Sequence, residues 1–344
     1  MVAIKKNPPM TIGGVEIKAG ERKRIEIPVA KLFDYTDITM PVEVIRGIKD
    51  GPTLFVSAAI HGDEIIGTEV IRRLLKRHKL LKSIKGTIIT VPIVNVFGYN
   101  RNSRYLPDRR DLNRCFPGSR TGSLGAQIAH TFMTEIVSKA THGIDLHTGA
   151  IHRTNLPQIR ATLNNKITHE LAESFGVPVV LNAELRDGSL RGAVSDLGVP
   201  MLLFEGGEAL RYDEKVITTA LNGIINVMRN IGIAGKKPEP KKAKEVFIAN
   251  SSQWIRAPHS GSLHTLKQVG NRVEKGEILG TISDPFGDQE HQIINKKTGV
   301  IIGMSLLPLV NNGDALYHVA TFEDVDTVEE QLESFEEDLM LFQS

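Results

Sequence analysis

Cysteine is almost absent from this chain, with Cys115 the single one in 344 residues. That excludes an internal disulfide framework and a cysteine-rich zinc site, and it suits a reducing compartment. The simplest role for Cys115 is that of a small buried residue. Long apolar runs are missing as well: none approaches the length of a membrane span, and the opening Met-Val-Ala-Ile-Lys-Lys-Asn-Pro-Pro holds no stretch long enough for a signal peptide. We therefore expect a cytoplasmic chain with no membrane partner. No charge of one sign dominates, because 42 Lys and Arg stand against 40 Asp and Glu for a net +2. So weak a field makes nucleic acid an unexpected partner and suits a small charged metabolite equally well. Gly-x-Ser-x-Gly occurs nowhere, which argues against a serine hydrolase.

What is present divides in two. Residues 10 to 48 alternate polar and apolar between turns and read as short half-buried strands at one margin of a sheet. From Thr53 onward, apolar strands (53–60, 87–94, 143–147, 178–181 and 200–205) alternate with helical stretches (65–78, 124–139, 165–175 and 213–231). That order predicts an α/β fold with a mixed, largely parallel central sheet flanked by helices, over a domain spanning 1–235. A Pro- and Lys-rich segment, 236–245, reads as an exposed linker. Beyond it, over 246–325, short strand-like runs punctuated by glycine predict a smaller all-β barrel-sandwich domain. The last stretch, 326–344, is an acidic tail.

Chemistry concentrates at two junctions. His61-Gly-Asp-Glu64 follows the apolar run Thr53–Ile60 at the start of a helix, where the i, i+3 spacing puts His61 and Glu64 on one side of the first turn. His147, in Asp145-Leu-His-Thr-Gly149, ends its own strand, and ligands gather at the carboxyl ends of strands in open α/β sheets. Together the three offer two imidazoles and a carboxylate, a donor set for Zn²⁺ that leaves one position open for water. Asp63 is then left to support or to cap. Hydrolysis also needs a base, and Glu205, carried by Pro200–Phe204 into Gly206-Gly207, is the best candidate, with Glu208 behind it. A long polar loop, Asn100–Gly118, brings five arginines, of which Arg101, Arg109 and Arg110 read as solvated. Arginines here can hold a carboxylate or polarise a carbonyl, and Arg191, among small residues, is a further candidate.

The motifs His61-Gly-Asp-Glu64, Asp111-Leu-Asn-Arg-Cys-Phe-Pro-Gly118, Asp145-Leu-His-Thr-Gly149 and Phe204-Glu-Gly206, in this order, resemble those of the succinylglutamate desuccinylase/aspartoacylase family, which is related to zinc carboxypeptidases. The resemblance implies zinc held by His61, Glu64 and His147, with Glu205 as general base and acid. It also implies Asn113 and Arg114 on the substrate's α-carboxylate, and Arg104 assisting the carbonyl, with one extra residue before Asp111. Tyr317 stands where the family brings a tyrosine from its C-terminal domain to the substrate. The C-terminal segment separately resembles biotinyl and lipoyl carrier domains in Ala257-Pro-His-Ser-Gly261 and in Val273-Glu-Lys-Gly276. There Asp284-Pro-Phe-Gly-Asp288 replaces the modified-lysine hairpin, which argues against a carrier role.

The reading is a zinc-dependent amidohydrolase, with one Zn²⁺ per chain, that removes an acyl group from the nitrogen of a small N-acyl amino acid or related acid. A metallocarboxypeptidase acting on short peptides is the alternative, and a non-catalytic binding protein of the same fold is the second. Assembly into a homo-oligomer is left open.

Overall fold

The computed structural model describes residues 6–235, 246–322 and Val328. The expected linker lies outside these residues, as does the acidic tail apart from Val328. The fold is α/β with an all-β C-terminal region, as expected. Its frame is a 13-stranded mixed sheet. At the centre four strands run parallel in the order Met201–Glu208, His142–Gly149, Thr53–Ala58 and Thr87–Val91. Every residue of Thr53–Ala58 and of Thr87–Val91 is buried, because helices cover both faces and no side of these strands meets water. Towards the edge, Asp37–Arg46 and Arg22–Lys31 pair antiparallel, and the outer of the two alternates exposed and buried residues.

Period-two alternation sorts the core into two layers. Leu54, Val56, Leu146, Leu202 and Phe204 pack on one face against the helices Ile66–Leu75, Lys166–Phe175 and Glu214–Asn230. Phe55, Ile89, Val91 and Met201 pack on the other against Leu124–Glu135 and Leu190–Asp196. Among the described residues no helix is long and apolar enough to cross a membrane.

Two of the elements that were not anticipated bear on the site. The helix Leu190–Asp196 is short, capped by Ser189 Oγ. The strand Arg153–Ala161 pairs antiparallel with Met201–Glu208, and the ladder slips between them: Glu205 faces Gln158, whereas Gly207 faces Asn155. Two steps on one strand against three on the other make a bulge at Leu156-Pro157, which turns Asn155, Gln158 and Arg160 to the same face. The far side of this strand carries the C-terminal region. Gly303, Met304 and Ser305 pair with Asn155, Thr154 and Arg153, so that Gly299–Ser305, Ala315–Thr321 and Ser251–Arg256 continue the central sheet. A four-stranded sheet formed by Glu290–Ile294, Ile278–Ser283, Gly261–Thr265 and Leu309–Val310 closes over them, with Leu263, Leu279, Ile282 and Tyr317 between the layers.

Candidate active site

The parallel strands deliver the site. Thr53–Ala58 ends at Ala59, whose positive φ of 53° turns the chain into His61-Gly-Asp-Glu64 ahead of the helix Ile66–Leu75. Gly62 is required there: a Cβ on it would stand 2.0 Å from the backbone carbon of Gly98. Within this turn His61 Nδ1 lies 2.7 Å from Glu64 Oε1, and His147 Nδ1, from the next strand, lies 2.8 Å from Glu64 Oε2. All three residues are buried.

Each imidazole is held from behind. His147 Nε2 meets Asp145 Oδ2 at 2.6 Å, and Ser57 Oγ donates to the other oxygen of Asp145 at 2.7 Å. His61 Nε2 meets Asp111 Oδ1 at 3.2 Å. Arg104 donates to Glu64 Oε1 at 3.1 Å and to Asp111 Oδ2 at 3.0 Å, tying the polar loop to the cluster. Burial is the strongest influence on Glu64 and opposes its charge, yet His61 and His147 hold its carboxyl far below the usual range. For the same reason, reversed, both imidazoles are raised: burial opposes their protons, and Glu64 with Asp145 on one side and Asp111 on the other outweighs it. Asp111 is lowered by His61 and Arg104 against its own burial.

The arrangement therefore favours positive charge at one buried point. Among the described residues, His61, Glu64 and His147 form a group whose donor atoms lie within 4.8 Å of one another. Two imidazoles and a carboxylate, with the far nitrogen of each ring fixed by a carboxylate, suit a divalent metal ion. Asp63, in contrast, caps nothing: the helix N-cap is Ile65, without a side-chain cap. Its Oδ1 is buried with no hydrogen-bond partner.

Glu205 sits opposite His147 in the parallel ladder, and ladder partners share a face. Asn155 Nδ2 donates to Glu205 Oε2 at 2.5 Å, and Arg160 Nε stands 3.6 Å from Oε1. Glu208 is engaged elsewhere, accepting the amide of His152 at 2.9 Å.

The remaining expected residues divide. Asn113 is buried, and its Oδ1 accepts the amide of Leu190 at 2.9 Å, which pins the loop to the helix Leu190–Asp196. Arg114 is exposed, its guanidinium on the carbonyl of Asn113 at 2.6 Å. Arg191 donates to the carbonyls of Ala183 and Glu184, and burial followed by the charges of Arg160 and Arg186 pushes it down to about 10. Tyr317 is not brought to the cluster: it is fully buried in the C-terminal core and donates to the carbonyl of Leu279 at 2.9 Å. Apolar layers enclose its ring, so its hydroxyl serves the fold. Sequence reasoning gave no role to Asp111, Asp145 or Ser57 in holding the histidines, nor to Asn155 and Arg160 beside Glu205. Asp145 and Asp111 stood inside motifs already singled out, whereas nothing in the sequence marked Asn155 or Arg160.

A family model for the succinylglutamate desuccinylase/aspartoacylase catalytic domain matches residues 50–231. The chain belongs to that family. Within the family, it is 26% identical over 297 residues to the N-alpha-acetyl-L-2,4-diaminobutyric acid deacetylase of Halomonas elongata, covering 82% of this chain and 86% of that one. Among solved structures it resembles a succinylglutamate desuccinylase/aspartoacylase from Rhodobacter sphaeroides, with a TM-score of 0.78, 24% identity, and 88% and 96% of the two chains covered. It likewise resembles the product-bound ectoine utilization protein EutE (DoeB) from Ruegeria pomeroyi, with a TM-score of 0.79, 23% identity, and 92% and 100% covered. At these identities the structural likenesses establish the fold.

Proposed function

We propose that this chain is a zinc-dependent amidohydrolase that removes an acyl group from the nitrogen of a small N-acyl amino acid or related acid. The observation that carries the reading is the buried His61–Glu64–His147 group with Glu205 on the neighbouring strand, in register with His147. The likeness over most of both chains to a deacetylase of an acetylated diamino acid supports the substrate class.

His61, Glu64 and His147 would hold the ion. When bound, zinc lowers the pKa of water towards neutrality and polarises a carbonyl. The chain's own residues supply the rest. Glu205, steadied by Asn155, takes the proton from the attacking water and passes it to the leaving nitrogen. Arg104, fixed between Glu64 and Asp111, presents a guanidinium where charge develops on the carbonyl oxygen. Asp145 and Asp111 fix both rings, so no reorganisation is needed as the reaction proceeds.

The test is Glu205→Gln, assayed on a panel of N-acyl amino acids with metal analysis of the same sample. We expect turnover to fall about 10²- to 10⁴-fold with zinc retained. Near-normal turnover at full zinc content would remove Glu205 from the mechanism.

A further inference from the structure

The face of the sheet beyond Glu205 carries polar groups that the chain itself does not satisfy. Arg160 Nε is buried without a hydrogen bond, and its one described partner is Glu205 at 3.6 Å. Gln158 is fully buried; its Nε2 donates to the carbonyl of Ile302, and its Oε1 has no partner. His318, 5% exposed, is held through Nε2 by Ser252 Oγ, and its Nδ1 has no partner. These groups share one surface. The bulge turns Asn155, Gln158 and Arg160 to the side of Glu205. Gly303 pairs with Asn155 on one flank and with His318 on the other, and Asn155 Oδ1 stands where its side chain would be.

The charge there is one-sided. Burial first, then Arg160 and Arg186, push His318 down to about 3. Arg160 and Arg186 also act on Arg191, and the carboxylate that answers these guanidinium groups is Glu205. A buried guanidinium nitrogen without a hydrogen bond, among three guanidinium groups answered by one carboxylate, is stable only when a further anion completes it.

We propose that this face seats the carboxylate of the substrate, with Arg160 as its specificity-determining anchor. The inference rests on the deacylase reading, since it takes Glu205 as the group beside which the scissile amide lies. Arg160 offers its terminal nitrogens to the carboxylate, and the fork geometry of a guanidinium matches two oxygens at once. Arg114, exposed and turned to its neighbour's carbonyl, is the competing anchor.

The experiment compares wild type, Arg160→Gln, Arg160→Lys and Arg114→Gln on two molecules: the best substrate of the acyl amino acid panel, and the same molecule with its carboxylate converted to a carboxamide. We expect Arg160→Gln to lose about 10- to 100-fold in kcat/KM on the carboxylate, mainly through KM, and little on the carboxamide. Arg160→Lys, which keeps the charge without the fork, should recover part of the loss. Equal loss on both molecules, carried by kcat, would mean that Arg160 only orients Glu205 and would overturn the proposal. So would a carboxylate-selective loss in Arg114→Gln that Arg160→Gln does not show. Thermal stabilisation by the free amino acid product gives a readout independent of turnover: it should be present in wild type and absent in Arg160→Gln. If zinc-loaded wild type cleaves no member of the panel, the deacylase reading fails, while this binding measurement still decides for or against Arg160.

Discussion

The two flanks of the catalytic face differ in how far the chain satisfies itself. On the His147 flank a continuous chain of partners runs from Ser57 through Asp145, His147, Glu64 and His61 to Asp111 and Arg104. On the Arg160 flank, Arg160, Gln158 and His318 each keep a buried polar atom without a partner. A site whose members orient one another is built before its ligand arrives, which a catalytic ion requires. A site with unpaired polar atoms is built to be completed by a ligand and discriminates against molecules that cannot complete it. The proposed reaction centre and the proposed selecting surface are thus neighbours, with Glu205 between them.

Breaking the first flank should have the larger effect. Asp145→Asn keeps the size of the side chain but offers an amide where His147 Nε2 and Ser57 Oγ both meet a carboxylate. Loss of such a supporting partner typically costs 10- to 100-fold in metal affinity. We expect a competition titration against a zinc chelator to show a weakening of about that size, with thermal unfolding of the metal-free protein changed far less. Unchanged affinity would mean that His147 needs no support from behind and that the two flanks do not differ in the way described.

The same contrast explains what the sequence made legible. His61, Glu64, His147 and Glu205 stand at the ends of apolar runs whose burial on both faces makes them read as central strands, and the carboxyl ends of such strands converge. The Arg160 flank offered no such signal. Arg153–Ala161 breaks period two at Leu156-Pro157, so its polar residues look like those of a loop until the ladder shows the bulge. His318 lies over a hundred positions from Glu205 in sequence and reaches the same face through Gly303, which pairs with both His318 and Asn155. Tyr317 illustrates the reverse error: it stands one residue from His318 and therefore on the opposite face of the strand, in the C-terminal core. The motif located it in the chain but could not fix its side.

A smaller effect is expected from filling the gap between the flank and its C-terminal wall. A Cβ on Gly303 would stand 2.6 Å from Asn155 Oδ1 and 3.6 Å from the His318 Cβ. Asn155 can yield because its amide is the flexible end of a side chain, but in moving it gives up its bond to Glu205. We expect Gly303→Ala to lower kcat by about tenfold, the scale of a lost hydrogen bond to a charged group. Zinc content should not change. A variant that loses zinc as well would show that the two flanks are coupled through Glu205.

The smallest effect concerns pH. His318 is pushed from 6.5 to about 3 by burial, Arg160 and Arg186, so the folded chain keeps it neutral across a range where the unfolded chain protonates it. A depressed folded pKa gives stability that is present in full above the unfolded value and is lost as pH falls from about 6.5 towards 3, with a slope of up to about 1.4 kcal/mol per pH unit. Urea unfolding of wild type and His318→Gln at pH 7 and pH 5 should show the shallower dependence in the variant. The same measurement also tests the open flank: a carboxylate seated on Arg160 offsets the field that disfavours the His318 proton. With saturating amino acid product the wild-type slope should therefore flatten towards that of the variant, and in Arg160→Gln the product should leave the slope unchanged.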